Sequence, residues 1–300
     1  MTAHDDLRSL IAAPHPDLAP LPPAAPVGAG VRLLRGVPYA DVPGARPLEL
    51  DLWLPENPGR QPLPLVLFVH GGAWRRGRRE DMGYRTRAWN PGPFARIAGA
   101  GFAVASADYR LSGEALFPAQ LDDLRQALRW LATRAPELGV DTARTVVWGE
   151  SAGGQLAALL ALADDTPGVV GAVVWYAPSD LTEDGDNAHS PEALLLGGAP
   201  ATVPENAALA SPLLRAHAGA PPMFLAHGED DSMVSCDHTR RLAARLTALG
   251  VPVESRLVPG ADHVWHGLSE ERLDEVFRTS LTWARRRVER RREAQEPSPA

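Results

Sequence analysis

Short β-branched and aliphatic runs recur along the chain at residues 31–39, 48–54, 65–69, 102–107, 145–148, 169–176, 222–226 and 253–258. Their lengths, and the Gly, Pro and polar residues that border them, predict eight strands. The first two lie close together and are expected to run antiparallel. From the third onward, segments 94–100, 118–134, 155–163, 237–249 and 270–292 read as helices between strands. In the second of these, Leu121, Leu124, Leu128 and Leu131 fall at three- and four-residue steps and so share one face. Strand and helix in alternation predict an α/β fold with a mostly parallel sheet covered on both faces. Two stretches escape the pattern. Residues 1–30 are rich in Pro and Ala without a period and are expected to form an arm or cap segment. Residues 180–220 are long and interrupted by Pro and Gly, which suggests a small insert bordering a pocket. Residues 31–292 then make one domain, and 293–300 a flexible tail.

Composition narrows the class. The 300 residues are 45% hydrophobic, enough for one large core. No stretch of about 20 apolar residues occurs, so no membrane span is expected. The first ten residues lack a basic start followed by an apolar run, so no secretory signal is expected. One cysteine, Cys236, cannot form an intramolecular disulfide, in keeping with a cytoplasmic location. A net charge of −7 disfavours nucleic acid as a partner. A homo-oligomer is compatible with all of this. Every one of the 30 basic residues is arginine, which points to compositional bias and argues against reading chemistry into any one cluster. Arg75–Arg79 is read first as a solvated loop and second as a place to meet an acidic substrate, and the arginines at 285–287 and 290–292 are expected to end the last helix, where they complement its dipole.

Chemistry concentrates at residues 145–154, Thr-Val-Val-Trp-Gly-Glu-Ser-Ala-Gly-Gly. A strand runs into Gly149-x-Ser151-x-Gly153 and then a helix, so Ser151 is expected on a sharp strand-to-helix corner that suits a nucleophile. After the third strand, His70-Gly71-Gly72-Ala73-Trp74 offers backbone N–H groups unobstructed by side chains. Gly71 and Gly72, with Ala152, are candidates to hold an oxyanion. A serine nucleophile needs an imidazole base and an acid that fixes its tautomer. The loop after strand 222–226 carries Glu229, Asp230 and Asp231; the loop after the last strand carries His263 and His266. His263 is favoured as base because it lies nearer the strand end. Glu150 is expected to be structural, and Asp123 to pair with Arg110 or a neighbouring loop. Trp74, Ser179, Asp180 and Trp265 are candidates to line the pocket. No metal or cofactor is expected.

These motifs resemble the α/β-hydrolase superfamily, and within it the esterases and lipases related to hormone-sensitive lipase and kynurenine formamidase. The resemblance rests on His70–Trp74, Asp108-Tyr109-Arg110-Leu111, Phe117-Pro118 with Asp123, residues 149–154, His227-Gly228-x-x-Asp231-x-x-Val234 and residues 260–263, and spans roughly 31–285. It implies Ser151 as nucleophile, Asp231 as acid and His263 as base, acting on a small acyl substrate by way of an acyl-enzyme. Ala73 stands where many hormone-sensitive-lipase relatives carry a third glycine, and the Ala73-Trp74 pair looks closer to the formamidase and feruloyl-esterase-like branch. An aryl-formamide hydrolase is therefore the alternative to a carboxylesterase. A catalytically silent small-molecule binder is the alternative from another class.

Overall fold

The computed structural model describes residues 14–166, 168–183 and 185–295. The first 13 residues of the expected arm, and residues 296–300 of the expected tail, lie outside that range. In chain order the elements are β1 (Ala25–Pro26), β2 (Val31–Ala40), β3 (Leu48–Pro55), β4 (Leu63–Val69), α1 (Pro93–Gly99), β5 (Ala103–Ala107), α2 (Ala119–Thr133), α3 (Ala135–Leu138), β6 (Val140–Glu150), α4 (Ala152–Ala161) and β7 (Val169–Trp175). They continue with α5 (Pro191–Leu196), α6 (Pro204–Leu209), α7 (Pro212–Arg215), β8 (Met223–Gly228), α8 (Asp237–Ala248), β9 (Val253–Val258) and α9 (Glu270–Gln295).

All eight expected strands are present, and the sheet has nine rather than eight, in the order β1-β2-β3-β5-β4-β6-β7-β8-β9. The addition is β1, a two-residue strand in the Pro/Ala-rich segment that pairs antiparallel with β2. β2, β3 and β5 also pair antiparallel, and the six strands from β5 to β9 run parallel. Further back in the same segment, the Pro16 carbonyl accepts from Trp130 Nε1 and from Arg134 Nη1, which ties the segment to α2 and its C-terminal end.

Period-two alternation sorts the core onto two faces. In β4, Leu65, Leu67 and Val69 pack with Leu124 of α2, Leu156 of α4 and Leu246 of α8. Val66 and Phe68 face the other way, with Phe94 and Ile97 of α1 and Val276 and Phe277 of α9. Both faces are covered, so central strands are apolar throughout. The segment 180–220 breaks into short helices, three of which begin with Pro at their first positions, where its missing N–H costs nothing. Arg110 grips Asp123 through its backbone N–H, Nε and Nη2. Arg79 is not part of a solvated loop: it is anchored to Asp51, Asp108 and Glu49, and so fixes the base of the loop that follows β4.

Candidate active site

Ser151 stands between β6 and α4 at φ 50° and ψ −125°, a conformation costly for a non-glycine residue. Backbone crowding holds the corner. A Cβ on Gly149 would lie 2.1 Å from the Gly153 carbonyl oxygen, and one on Gly153 would lie 2.2 Å from those of Val69 and His70. Only glycines let α4 start this close to β4. The turn presents the Ser151 hydroxyl at the C-terminal edge of the sheet, above the first turn of α4, whose N–H groups lack intrahelical partners.

Loops after two later strands deliver the groups it faces. Ser151 Oγ lies 3.0 Å from His263 Nε2, and His263 Nδ1 lies 2.8 Å from Asp231 Oδ2. Asp231 Oδ1 accepts from the Met233 and Val234 N–H groups at 3.0 and 2.8 Å. Its Oδ2 is also 3.2 Å from His227 Nε2, and the side chain has no exposed surface. Burial alone would push the Asp231 carboxyl up. The hydrogen bonds from His227, His263 and the Val234 N–H outweigh that and hold it well below the usual carboxylate range. It is therefore an anion aimed at the Nδ1 edge of the imidazole.

The neighbouring candidates do other things. Asp262 accepts from the backbone N–H groups of His263 and Ser232 and caps the turn that carries the histidine. His266 Nδ1 meets the Tyr84 hydroxyl on the exposed side of that turn, at 2.9 Å. His70 is buried and stacked 4.4 Å from Tyr109, and burial lowers its pKa, so it sits neutral under the glycine loop.

The fold agrees with comparisons to known proteins. The sequence profile of the BD-FAE family matches residues 50–246. The chain belongs to the BD-FAE family. Its relatives include the carboxylesterase NlhH of Mycobacterium tuberculosis, 36% identical over 222 residues that make up 68% of this chain and 67% of NlhH. The esterase LipQ of the same organism is 29% identical over 248 residues, 76% of this chain but 56% of LipQ. Among solved structures, a bacterial heroin esterase superimposes with a TM-score of 0.69 at 30% identity, over 86% of this chain and 85% of that one. This BD-FAE chain is thus an α/β hydrolase related to hormone-sensitive-lipase-like esterases.

Two cavities of this BD-FAE fold meet at Ser151 and His263. One, of about 470 Å³, is bordered by Gly71, Gly72, Arg76, Arg78, Asp81 and Glu150. The other, of about 290 Å³, is bordered by Trp74, Ala152, Asp180, Leu181, Glu183 and Ser190. Exposed Met233 stands between them at the mouth. Of the expected pocket residues, Trp74 and Asp180 therefore line the smaller cavity. Trp74 is also tied by Nε1 to Gln155 of α4 at 3.0 Å, and Gln155 to the Ala210 carbonyl of the insert. Ser179 and Trp265 border neither cavity. Ser179 is buried and donates to the His238 carbonyl; Trp265 is buried 4.9 Å from the Tyr176 ring.

Glu150 is the buried neighbour of the nucleophile, and burial raises its pKa. Hydrogen bonds from Tyr176 and from the Gly71 N–H oppose the rise, and nearby Asp81 adds to it. Sequence reading did not single out Tyr176. Its hydroxyl donates to Glu150 while its ring meets His263 edge-on at 5.0 Å. Its position at the end of β7, beside the β6 corner, was the available signal.

Proposed function

We propose that this chain hydrolyses carboxylic esters of small acyl groups through Ser151, His263 and Asp231. The supporting observation is the continuous chain of contacts Ser151 Oγ–His263 Nε2 at 3.0 Å and His263 Nδ1–Asp231 at 2.8 Å. Asp231, an anion, accepts a hydrogen bond from the Nδ1–H group and so keeps the Nε2 lone pair directed at the hydroxyl. As Ser151 Oγ attacks the ester carbonyl, its proton passes to Nε2, and the carbonyl oxygen gains negative charge. The N–H groups of Gly72 and Ala152 are our assignment for stabilising it, with Gly71 contributing only as far as its N–H is released by Glu150. Collapse of the tetrahedral adduct breaks the bond to the alcohol, which leaves with the proton from His263. Water, deprotonated by the same imidazole, then releases the acid from Ser151. Esterase relatives, NlhH and LipQ, favour ester over other acyl chemistry.

Ala73 in the glycine loop keeps aryl-formamide hydrolysis as the second reading, since the same residues would serve it. Steady-state turnover of p-nitrophenyl acetate and butyrate, set beside N-formylkynurenine, separates the two. The ester reading expects kcat/KM for the esters to exceed that for the formamide, and the reverse order overturns it. We place the enzyme in the cytoplasm, where a buried free Cys236 is the expected state of a lone thiol.

A further inference from the structure

We propose that the preferred ester carries a negative charge, and that Arg76 and Arg78 meet it at the mouth of the larger cavity beside Ser151. The inference rests on the esterase reading above and adds a substrate class to it. In a chain whose only basic residues are arginines, abundance says nothing, but placement does. Arg79 is fully engaged by Asp51, Asp108 and Glu49, and Arg87 by Asp81. Arg76 and Arg78 are exposed and border the cavity that holds the nucleophile, and their guanidinium groups have no ion-pair or hydrogen-bond partner among the described residues. The stem of Arg76 lies over Gly72, where a Cβ on the glycine would come within 3.2 Å of Arg76 Cγ, so this guanidinium is rooted next to the reacting centre.

Counter-charges in the same cavity are already accounted for. Asp81 is held by Arg87. Glu150 is buried against Tyr176 and shifted by burial towards its neutral form. Glu80 borders the neighbouring cavity, which Arg78 also reaches, and not the one containing Ser151. Across the nucleophile the charge pattern reverses. The smaller cavity is bordered by Asp180, Glu183 and Glu192, the first two bonded to Arg241. An ester with one anionic half is thereby oriented: the charged half lies beside the arginines and the uncharged half beside Trp74 and Leu181. The chain as a whole carries −7, so this positive mouth is a local feature set against the overall field.

Two matched substrate pairs test it. Charge on the acyl half is probed by p-nitrophenyl hemiglutarate against p-nitrophenyl valerate, and charge on the alcohol half by 4-acetoxybenzoate against 4-acetoxybenzamide. The expected result is a kcat/KM ratio favouring the anion by about 5- to 10-fold in one pair at low salt, expressed mostly in KM, as befits two partly solvated ion pairs. The ratio should fall towards unity in the Arg76→Gln/Arg78→Gln double variant, and for the native protein in about 1 M NaCl, where screening acts within a few ångströms. If neither pair favours the anion, or if the double variant leaves the ratio as it was, the proposal is overturned. Failure to turn over any of the four esters would instead sink the esterase reading itself.

Discussion

Replacing Asp231 by Asn is a near-isosteric change whose consequence follows from the bonds around it. The carboxylate accepts at one oxygen from the Met233 and Val234 N–H groups and at the other from His263 Nδ1, with His227 Nε2 close by. An asparagine has one acceptor oxygen. With that oxygen kept on the two backbone donors, its NH₂ group faces the imidazole, and His263 must then present a lone pair at Nδ1. The proton moves to Nε2 and points at Ser151 Oγ, which leaves the hydroxyl without a base. The loss in kcat expected for a wrong-tautomer triad is about 10⁴, equivalent to about 5.4 kcal/mol of transition-state stabilisation. KM should change little, since Asp231 borders neither cavity. Stability should respond too. The Asp231 pKa is depressed in the fold, so the native residue contributes stability above the ordinary aspartate value, about 3.9, and loses it as pH falls through the folded value. The gap in Tm between native and Asp231→Asn protein should therefore be present at pH 7 and close in strong acid. Asp262→Asn is the control, because Asp262, among the described residues, accepts from Ser232 and the His263 N–H and from no ring nitrogen; it should cost far less activity. A folded Asp231→Asn protein within tenfold of native kcat, or an Asp262→Asn protein that is the more crippled of the two, would refute the reasoning.

Two further outcomes are expected. His263→Ala should lower kcat by on the order of 10⁵–10⁶, whereas His266→Ala should leave it nearly native, because its Nδ1 bonds Tyr84 away from the nucleophile; steady-state rates on p-nitrophenyl butyrate decide. Glu150→Gln mimics the protonated side chain. The raised pKa means that the native fold loses stability as pH rises above the ordinary glutamate value, about 4.3, up through the folded value. The variant's Tm should match the native below pH 4 and exceed it increasingly as pH rises through the folded value, and a difference independent of pH would contradict the shift.

What was legible in the sequence follows the range of the forces involved. The eight longer strands and five longer helices show in local periodicity because each buries a face along its own length. β1 is two residues whose only reason to be extended is the β2 edge beside them, so nothing local announces it. The short helices of 180–220 have four to six residues each, fewer than two turns, too short for a period to register. At the site, Ser151 is legible because its corner is encoded by Gly149 and Gly153, a steric demand written in adjacent positions. Glu229, Asp230 and Asp231 could not be told apart on local grounds. What singles out Asp231 is the pair of N–H groups two and three residues on, together with histidines from two separate strand ends. Tyr176, just past β7, and Arg76 and Arg78, from the loop after β4, gather around Ser151, which no single stretch of sequence reveals.

The most direct test is covalent. Treated with a fluorophosphonate and digested, the protein should yield one adduct, on the peptide containing Ser151, formed in step with loss of esterase activity and largely abolished by His263→Ala. Labelling of a different residue, or full esterase activity in a Ser151→Ala protein, would contradict the account.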